Sequence, residues 1–356
     1  MSKVYNFSAG PAVLPQEALV EASSSALEYM KSGMSLMTMS HRSKPVVAMF
    51  DETEALIREL LNVPKNYKVL FLQGGASMQF CMVPMNFLGE GESADFTDTG
   101  AWAEKAIQEA AKFGKANVIA SSKAATYSYI PKDLVQTIGA KYLHVTSNNT
   151  IFGTQLKEFP KANGFLVSDM SSDIFSRPIN VSDFGIIYAG AQKNMGPAGA
   201  TLVIIREDLL QNQAKRMIPT MLDYNTHVKA ESMFNTPPVW SVYIINRTLT
   251  WLKNLGGVAE IQKINERKAA ALYAEIDRNP LFKGPAAIED RSMMNITFVM
   301  QDPSLEPEFL ALCKSRNFTS LEGHRSVGGF RASIYNAFPE EGVQALIQAM
   351  QDFEKR

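Results

Sequence analysis

The chain has 356 residues, long enough for a large core and two domains, and its 46% hydrophobic and 20% charged residues are the make-up of a globular protein. With 35 basic and 36 acidic side chains, it offers no charge imbalance that would suit a nucleic acid or a membrane surface. Cys81 and Cys313 form no disulfide or metal pattern, MSKVYNFSAGP at the start has no signal-like apolar run, and no stretch approaches the ~20 apolar residues of a membrane span; a reducing cytoplasm is expected.

Short β-rich apolar runs follow one another at KVLFL (68–72), ADFTDT (94–99), NVIAS (117–121), YLHVTS (142–147), FLVSDM (165–170), GIIYAG (185–190) and ATLVIIR (200–206). The first five begin about 25 residues apart, the spacing of parallel strands joined by helices. WAEKAIQEAAKFG (102–114) is one such helix. The last two runs lie too close for a crossover helix, so the seventh strand is expected to be antiparallel. The fold class is therefore α/β: a mostly parallel seven-stranded sheet flanked by helices. Two long helical patterns follow over 239–257 and 258–280. Beyond them MNITFVM (294–300), EPEFLALCKSRN (306–317), GGFRASIYN (328–336) and EEGVQALIQAMQDFEK (340–355) read as a small α+β C-terminal domain. The expected division is a large domain over 16–257 and a small one made of 258–356 with residues 1–15.

Ligands of parallel sheets bind outside the C-terminal strand ends. Those ends carry Gly74, Gly75, Ala76 and Ser77, then Trp102, Thr150, Asp169, and Gln192 with Lys193. A glycine-rich turn opening a helix favours an anion. Trp102 suits a planar ring, Asp169 a pyridinium nitrogen, and a desolvated Lys193 an aldehyde carbon. Each has an ordinary explanation by itself: a plain turn, a core tryptophan, a helix cap, a solvated lysine. Together they occupy the positions of a pyridoxal phosphate site. Two His-Arg pairs, His41–Arg42 and His324–Arg325, suit a dianion.

The chain resembles the phosphoserine aminotransferases, fold-type I pyridoxal phosphate enzymes of class V, over nearly its whole length. The segments that carry the likeness are NFSAGPAVLP (6–15), MSHRS (39–43), FLQGGAS (71–77), TGAW (99–102), SDMSSDIFSRPI (168–179), YAGAQKNMGPAG (188–199), MFNTPP (233–238) and GHRSVGGFRASIYNA (323–337). The resemblance implies reversible transamination between 3-phosphohydroxypyruvate and glutamate, giving O-phosphoserine and 2-oxoglutarate, in a homodimer with shared active sites. It implies that Lys193 holds the cofactor aldehyde and moves the proton, that Asp169 keeps the ring nitrogen protonated, that Trp102 stacks on the ring and that Thr150 bonds its hydroxyl. Ala76, Ser77 and Gln192 would hold the cofactor phosphate, joined by Asn235 and Thr236 of the partner subunit. Arg331 would take the substrate α-carboxylate. His324 and Arg325, with His41 and Arg42 of the partner subunit, would take the distal anion. Ser77 and Ala9 depart from some members, which carry arginine and serine there. No metal is implied.

Three alternatives stand beside this reading. A cysteine desulfurase shares the fold but needs a mobile loop cysteine, whereas Cys81 (FCMVPM) and Cys313 (LALCKS) both read as core. A non-catalytic module would not need Lys193 with Asp169. Action on 4-phosphohydroxythreonine, in pyridoxine synthesis, is compatible with the same residues.

Overall fold

A computed structural model describes residues 3–356. Seven strands form the central sheet: β1 (Tyr67–Leu72), β2 (Ser93–Asp98), β3 (Lys115–Ser121), β4 (Tyr142–Thr146), β5 (Phe165–Asp169), β6 (Ile186–Gly190) and β7 (Thr201–Arg206). Their spatial order is β1-β7-β6-β5-β4-β2-β3. Only β7 runs against its neighbours, pairing Thr201 with Leu72 on one side and with Gly190 on the other. All other pairs are parallel. The mostly parallel sheet with an antiparallel seventh strand is thus as the sequence indicates.

Both faces of the sheet are covered, and the pleat decides which residue serves which side. Val69, Phe71, Leu143, Val145, Ile187, Ala189, Leu202 and Ile204 enter one core; Leu70, Leu72, Tyr142, Ile186, Tyr188, Val203 and Ile205 enter the other. The helices are α1 (Gln16–Leu27), α2 (Lys44–Leu61), α3 (Gly75–Phe87), α4 (Ala101–Ala110), α5 (Tyr224–Lys229), α6 (Val239–Asn254), α7 (Val258–Arg278), α8 (Glu306–Ser315) and α9 (Glu340–Glu354). Helix α2 buries Val46, Met49, Phe50, Thr53, Ile57 and Leu60 at helical spacing and packs against α6 over the first face. Helices α3 and α4 cover the second.

Strand spacing overstates the helices. Helices α3 and α4 join β1 to β2 and β2 to β3, but β3 to β4 and β4 to β5 are joined without an α-helix. Pro131 sits in the first of these connections and Asn148, Asn149 and Gly153 in the second, and neither has an apolar face repeating every three to four residues.

A separate core gathers Phe7, Leu272, Ile276, Phe298, Phe309, Phe330 and Met350. Strands β8 (Phe282–Lys283), β9 (Asn295–Met300) and β10 (Phe330–Ser333) form its antiparallel sheet. The N-terminal pair Tyr5–Asn6 lies parallel to Phe318–Thr319. Phe7 continues the association, donating its N–H to Thr319 O and accepting from Ser333 N–H. Helix α7 follows Gly256 and Gly257, both in the left-handed region, and contacts α6 and α9. Among the described residues, no helix is long and apolar enough to cross a membrane.

Candidate active site

Strand β1 ends in Leu72, and the chain turns through Gly74 (φ +90) and Gly75 (φ +65) into α3. A side chain at 74 would bring its Cβ to 2.6 Å from Met78 Cβ, so glycine is required by space as well as by dihedral. No side chain caps α3. Its first-turn N–H groups are therefore left for a ligand, and the helix dipole adds attraction for an anion. Ala76 and Ser77 line a cavity of about 320 Å³ at this point.

The same cavity is lined by Trp102, Thr150, Asp169, Gln192, Lys193, His324 and Arg331. Trp102, the second residue of α4, donates Nε1–H to Thr150 Oγ1 at 3.1 Å. Thr150 O accepts from Arg331 Nη1 at 3.0 Å. An aromatic wall from α4 and a guanidinium from β10 are thus linked through one threonine. Arg331 Nε is buried without a partner, so the guanidinium retains a donor for an incoming anion.

Asp169 ends β5 and is 5% exposed. Its Oδ1 accepts the Ser171 N–H at 2.9 Å. Burial raises its pKa, against Ser171 and the charge of Lys193, which lower it. The neighbouring acid, Asp173, is already occupied: it accepts from Ser147 Oγ and, at 3.1 Å, from Gln155 Nε2, and lies 3.7 Å from Arg177. Asp169 is the acid that faces the cavity.

Lys193 follows β6 by way of a tight reversal in which Lys193 N–H and Gly196 N–H both donate to Ala191 O. The loop re-enters β7 through Gly199 (φ +120), where a Cβ would stand 2.6 Å from Ser241 Oγ. The cation sits where two buried strands meet because the meeting point is the cavity wall. Burial lowers its pKa to about 8, with the Arg331 charge helping and Asp169 and Asp173 opposing. From above, the N-terminal segment closes the lysine loop. Ala12 N–H donates to Gln192 O at 2.9 Å, and the space beside Gly10 is bounded by Gln192 and the Lys193 stem.

His41, Arg42, Arg325, Asn235 and Thr236 do not line this cavity. Arg325 is exposed on the loop that carries His324. Asn235 borders a smaller cavity of about 170 Å³ and donates to Gln73 Oε1 at 3.1 Å. His41 Nε2 is buried without a partner. Of the cysteines, Cys313 is buried as expected, but Cys81 is only half-buried. Burial raises both thiols, Cys313 to about 12, the opposite of a reactive cysteine. Sequence reasoning overlooked Thr146 and Gly10 as cavity residues. Thr146 is the penultimate residue of the run YLHVTS, and continuing the strand-end reading inward from Asn148 would have found it.

Comparison with known proteins agrees with this architecture. Residues 4–346 match the model of the family Aminotransferase class-V. The phosphoserine aminotransferase of Azobacteroides pseudotrichonymphae is 54% identical over 355 residues, covering 99% of this chain and 98% of its own. A solved phosphoserine aminotransferase from Bacillus circulans subsp. alkalophilus superposes with a TM-score of 0.97 at 48% identity, over 99% of each chain. A PLP-bound phosphoserine aminotransferase from Trichomonas vaginalis does so with a TM-score of 0.94 at 39% identity, over 98% of this chain and 100% of its own. The chain belongs to the class-V aminotransferase family, and within it to the phosphoserine aminotransferases.

Proposed function

We propose that the chain transfers an amino group between O-phosphoserine and 2-oxoglutarate, using pyridoxal phosphate. The observation that carries the reading is the single cavity that holds Lys193, Asp169, the Trp102 wall and the open N-terminus of α3. These residues fit the cofactor. The uncapped first turn of α3 with Gln192 suits its phosphate, the indole its ring, Thr150 its ring hydroxyl, and the buried Asp169 its ring nitrogen.

Bound pyridoxal phosphate supplies an aldehyde carbon that accepts the amino group and a ring that takes up electrons. The protein supplies the rest. Lys193 presents an amine with a lowered pKa, able to take a proton from the substrate Cα and return it one position away. Asp169, ionised, keeps a proton on the ring nitrogen. Arg331 receives the α-carboxylate shared by both substrates. His324 on the cavity wall, with Arg325 next to it on the same loop, would receive the distal anion, the phosphate of one substrate and the side-chain carboxylate of the other.

The reading includes a homodimer. His41, Arg42, Asn235 and Thr236 lie outside the cavity of their own chain, in segments that leave Met30, Met34, Met37 and Phe234 exposed. Large apolar side chains left exposed in these segments favour an interface. In such a dimer the partner subunit's His41 and Arg42 complete the distal anion site, and the partner subunit's Asn235 and Thr236 the phosphate site. The domain division at residues 15 and 257, with the N-terminal segment in the small domain, and a cytoplasmic location belong to the same proposal.

The test is turnover of phosphoserine with 2-oxoglutarate, run beside 4-phosphohydroxythreonine. Lys193→Ala is expected to lower turnover by at least ~10²–10⁴-fold. Near-normal turnover would refute the role of the lysine. Mixing inactive Lys193→Ala chains with inactive Arg42→Ala chains is expected to restore about one working site per heterodimer. No recovery after proven subunit exchange places Arg42 outside the shared site.

A further inference from the structure

Thr146 ends β4, where its Cα stands opposite that of Asp169 in the parallel ladder. Neighbouring strands lie about 4.8 Å apart and alternate residues share a face, so the hydroxyl and the carboxylate emerge side by side. Both residues line the cavity. Thr146 is 2% exposed, and its Oγ1 is buried with no hydrogen-bond partner. A buried hydroxyl of this kind requires an explanation. The acid on the neighbouring strand does not supply one, because Asp98 is already bonded by Ser121 Oγ and Tyr127 Oη. On the other side, the hydrogen bonds that stabilise ionised Asp169 all come from Ser171.

The geometry points to Thr146 as a positioning residue, whose hydroxyl turns to donate to the Asp169 carboxylate oxygen that the Ser171 N–H does not engage, fixing the acid's orientation and holding it ionised. The inference rests on the role proposed for Asp169 at the cofactor ring. The other groups facing Asp169 leave this place open. Lys193 and Asp173 act on it by charge, with opposite signs. Tyr188 on β6 is hydrogen-bonded to His144 on β4 at 2.7 Å, and burial keeps that pair neutral by raising the phenol and lowering the imidazole to about 3. Among the described residues, Thr146 is an unengaged hydroxyl donor beside the acid.

The test compares Thr146→Val, which keeps the shape and removes the hydroxyl, with Thr146→Ser, which keeps the hydroxyl. One hydrogen bond to a charged group corresponds to at least about 10-fold. Thr146→Val holoenzyme is expected to lose about that factor in kcat, with KM for phosphoserine and glutamate unchanged. Its acid limb is expected to move up by about one pH unit, because the undonated carboxylate takes its proton sooner. In the apoprotein, infrared titration of the buried carboxyl should show the same upward move, a readout independent of turnover. Thr146→Ser should restore all three. Should Thr146→Val fail to fold, Thr146→Ala is read against Thr146→Ser in the same assays. Wild-type kcat and carboxyl titration in the hydroxyl-free variant would overturn the inference, as would a serine variant as impaired as the valine one. Full activity of Asp169→Asn would instead remove the proposed role of Asp169.

Discussion

Burial brings the pKa of the Lys193 amine to about 8 from the ordinary 10.5, and the charged neighbours that adjust it can be removed one at a time. At pH 8 half of such amines are neutral, whereas at a pKa of 10.5 roughly one in 300 would be, so the reactive form is enriched about 150-fold. Capture of an aldehyde by the apoprotein should therefore rise with pH and level off just above 8. Arg331→Met removes a charge that lowers the pKa, so the midpoint should move up. Asp169→Asn removes the largest opposing charge, so it should move down. The assay is the rate at which apoprotein takes up pyridoxal phosphate, followed by absorbance from pH 6.5 to 9.5 as chosen conditions (roughly 1.5 units either side of the midpoint). A second readout is stability. Between about 8 and 10.5 the unfolded chain keeps a proton that the folded chain has released, so unfolding free energy of the apoprotein should rise with pH across that window. A capture midpoint near 10.5, or shifts in the reverse sense, would refute the reasoning.

Lys268 is 2% exposed and donates to the carbonyls of Ile334, Tyr335 and Phe338 at 3.0, 2.8 and 3.1 Å; Lys268→Met should cost about 2–4 kcal/mol in urea unfolding, the lost bonds outweighing relief from burying a charge. A wild-type unfolding midpoint would show that the carbonyls find other donors. Gly199→Ala combines a left-handed φ with a Cβ 2.6 Å from Ser241 Oγ and should destabilise by about 1–3 kcal/mol while displacing the lysine loop, seen as weaker cofactor retention on dialysis. Since burial raises both thiols, alkylating reagent at neutral pH should leave turnover intact; rapid inactivation would reopen a cysteine-based chemistry.

The central strands were legible because alternate residues serve two apolar cores, and the short gap before ATLVIIR required an antiparallel return. The connections around residues 122–141 and 147–164 were less legible, since regular spacing between strands does not say what fills the interval. Lys193, Asp169, Trp102 and Thr150 could be located because each closes or follows a recognisable strand. Arg331 was different: nothing local reveals that β10, about 180 residues after Thr150, brings a guanidinium to its carbonyl. It came from likeness to a family. Thr146 shows the limit of reading by residue type, because its interest arises from an absent partner and a strand register that only coordinates reveal. His41 and Arg42 show another limit: both lie outside the cavity of their own chain, and no spacing in the sequence says so.

The junction of Phe7 with the Phe318 segment imposes an order on the ribosome. The two residues are separated by about 300 residues of chain, which at ~5–20 residues per second takes about 15–60 s to synthesise. Throughout that interval Phe7 lacks the aromatic neighbours that bury it, and the Ala12 strap over Gln192 hangs from an unanchored end. The lysine loop waits on the same late segment, since Asn194 Oδ1 accepts from Asn336 N–H at 3.0 Å. The cover over the Lys193 loop thus depends on a segment of chain that is made among the last.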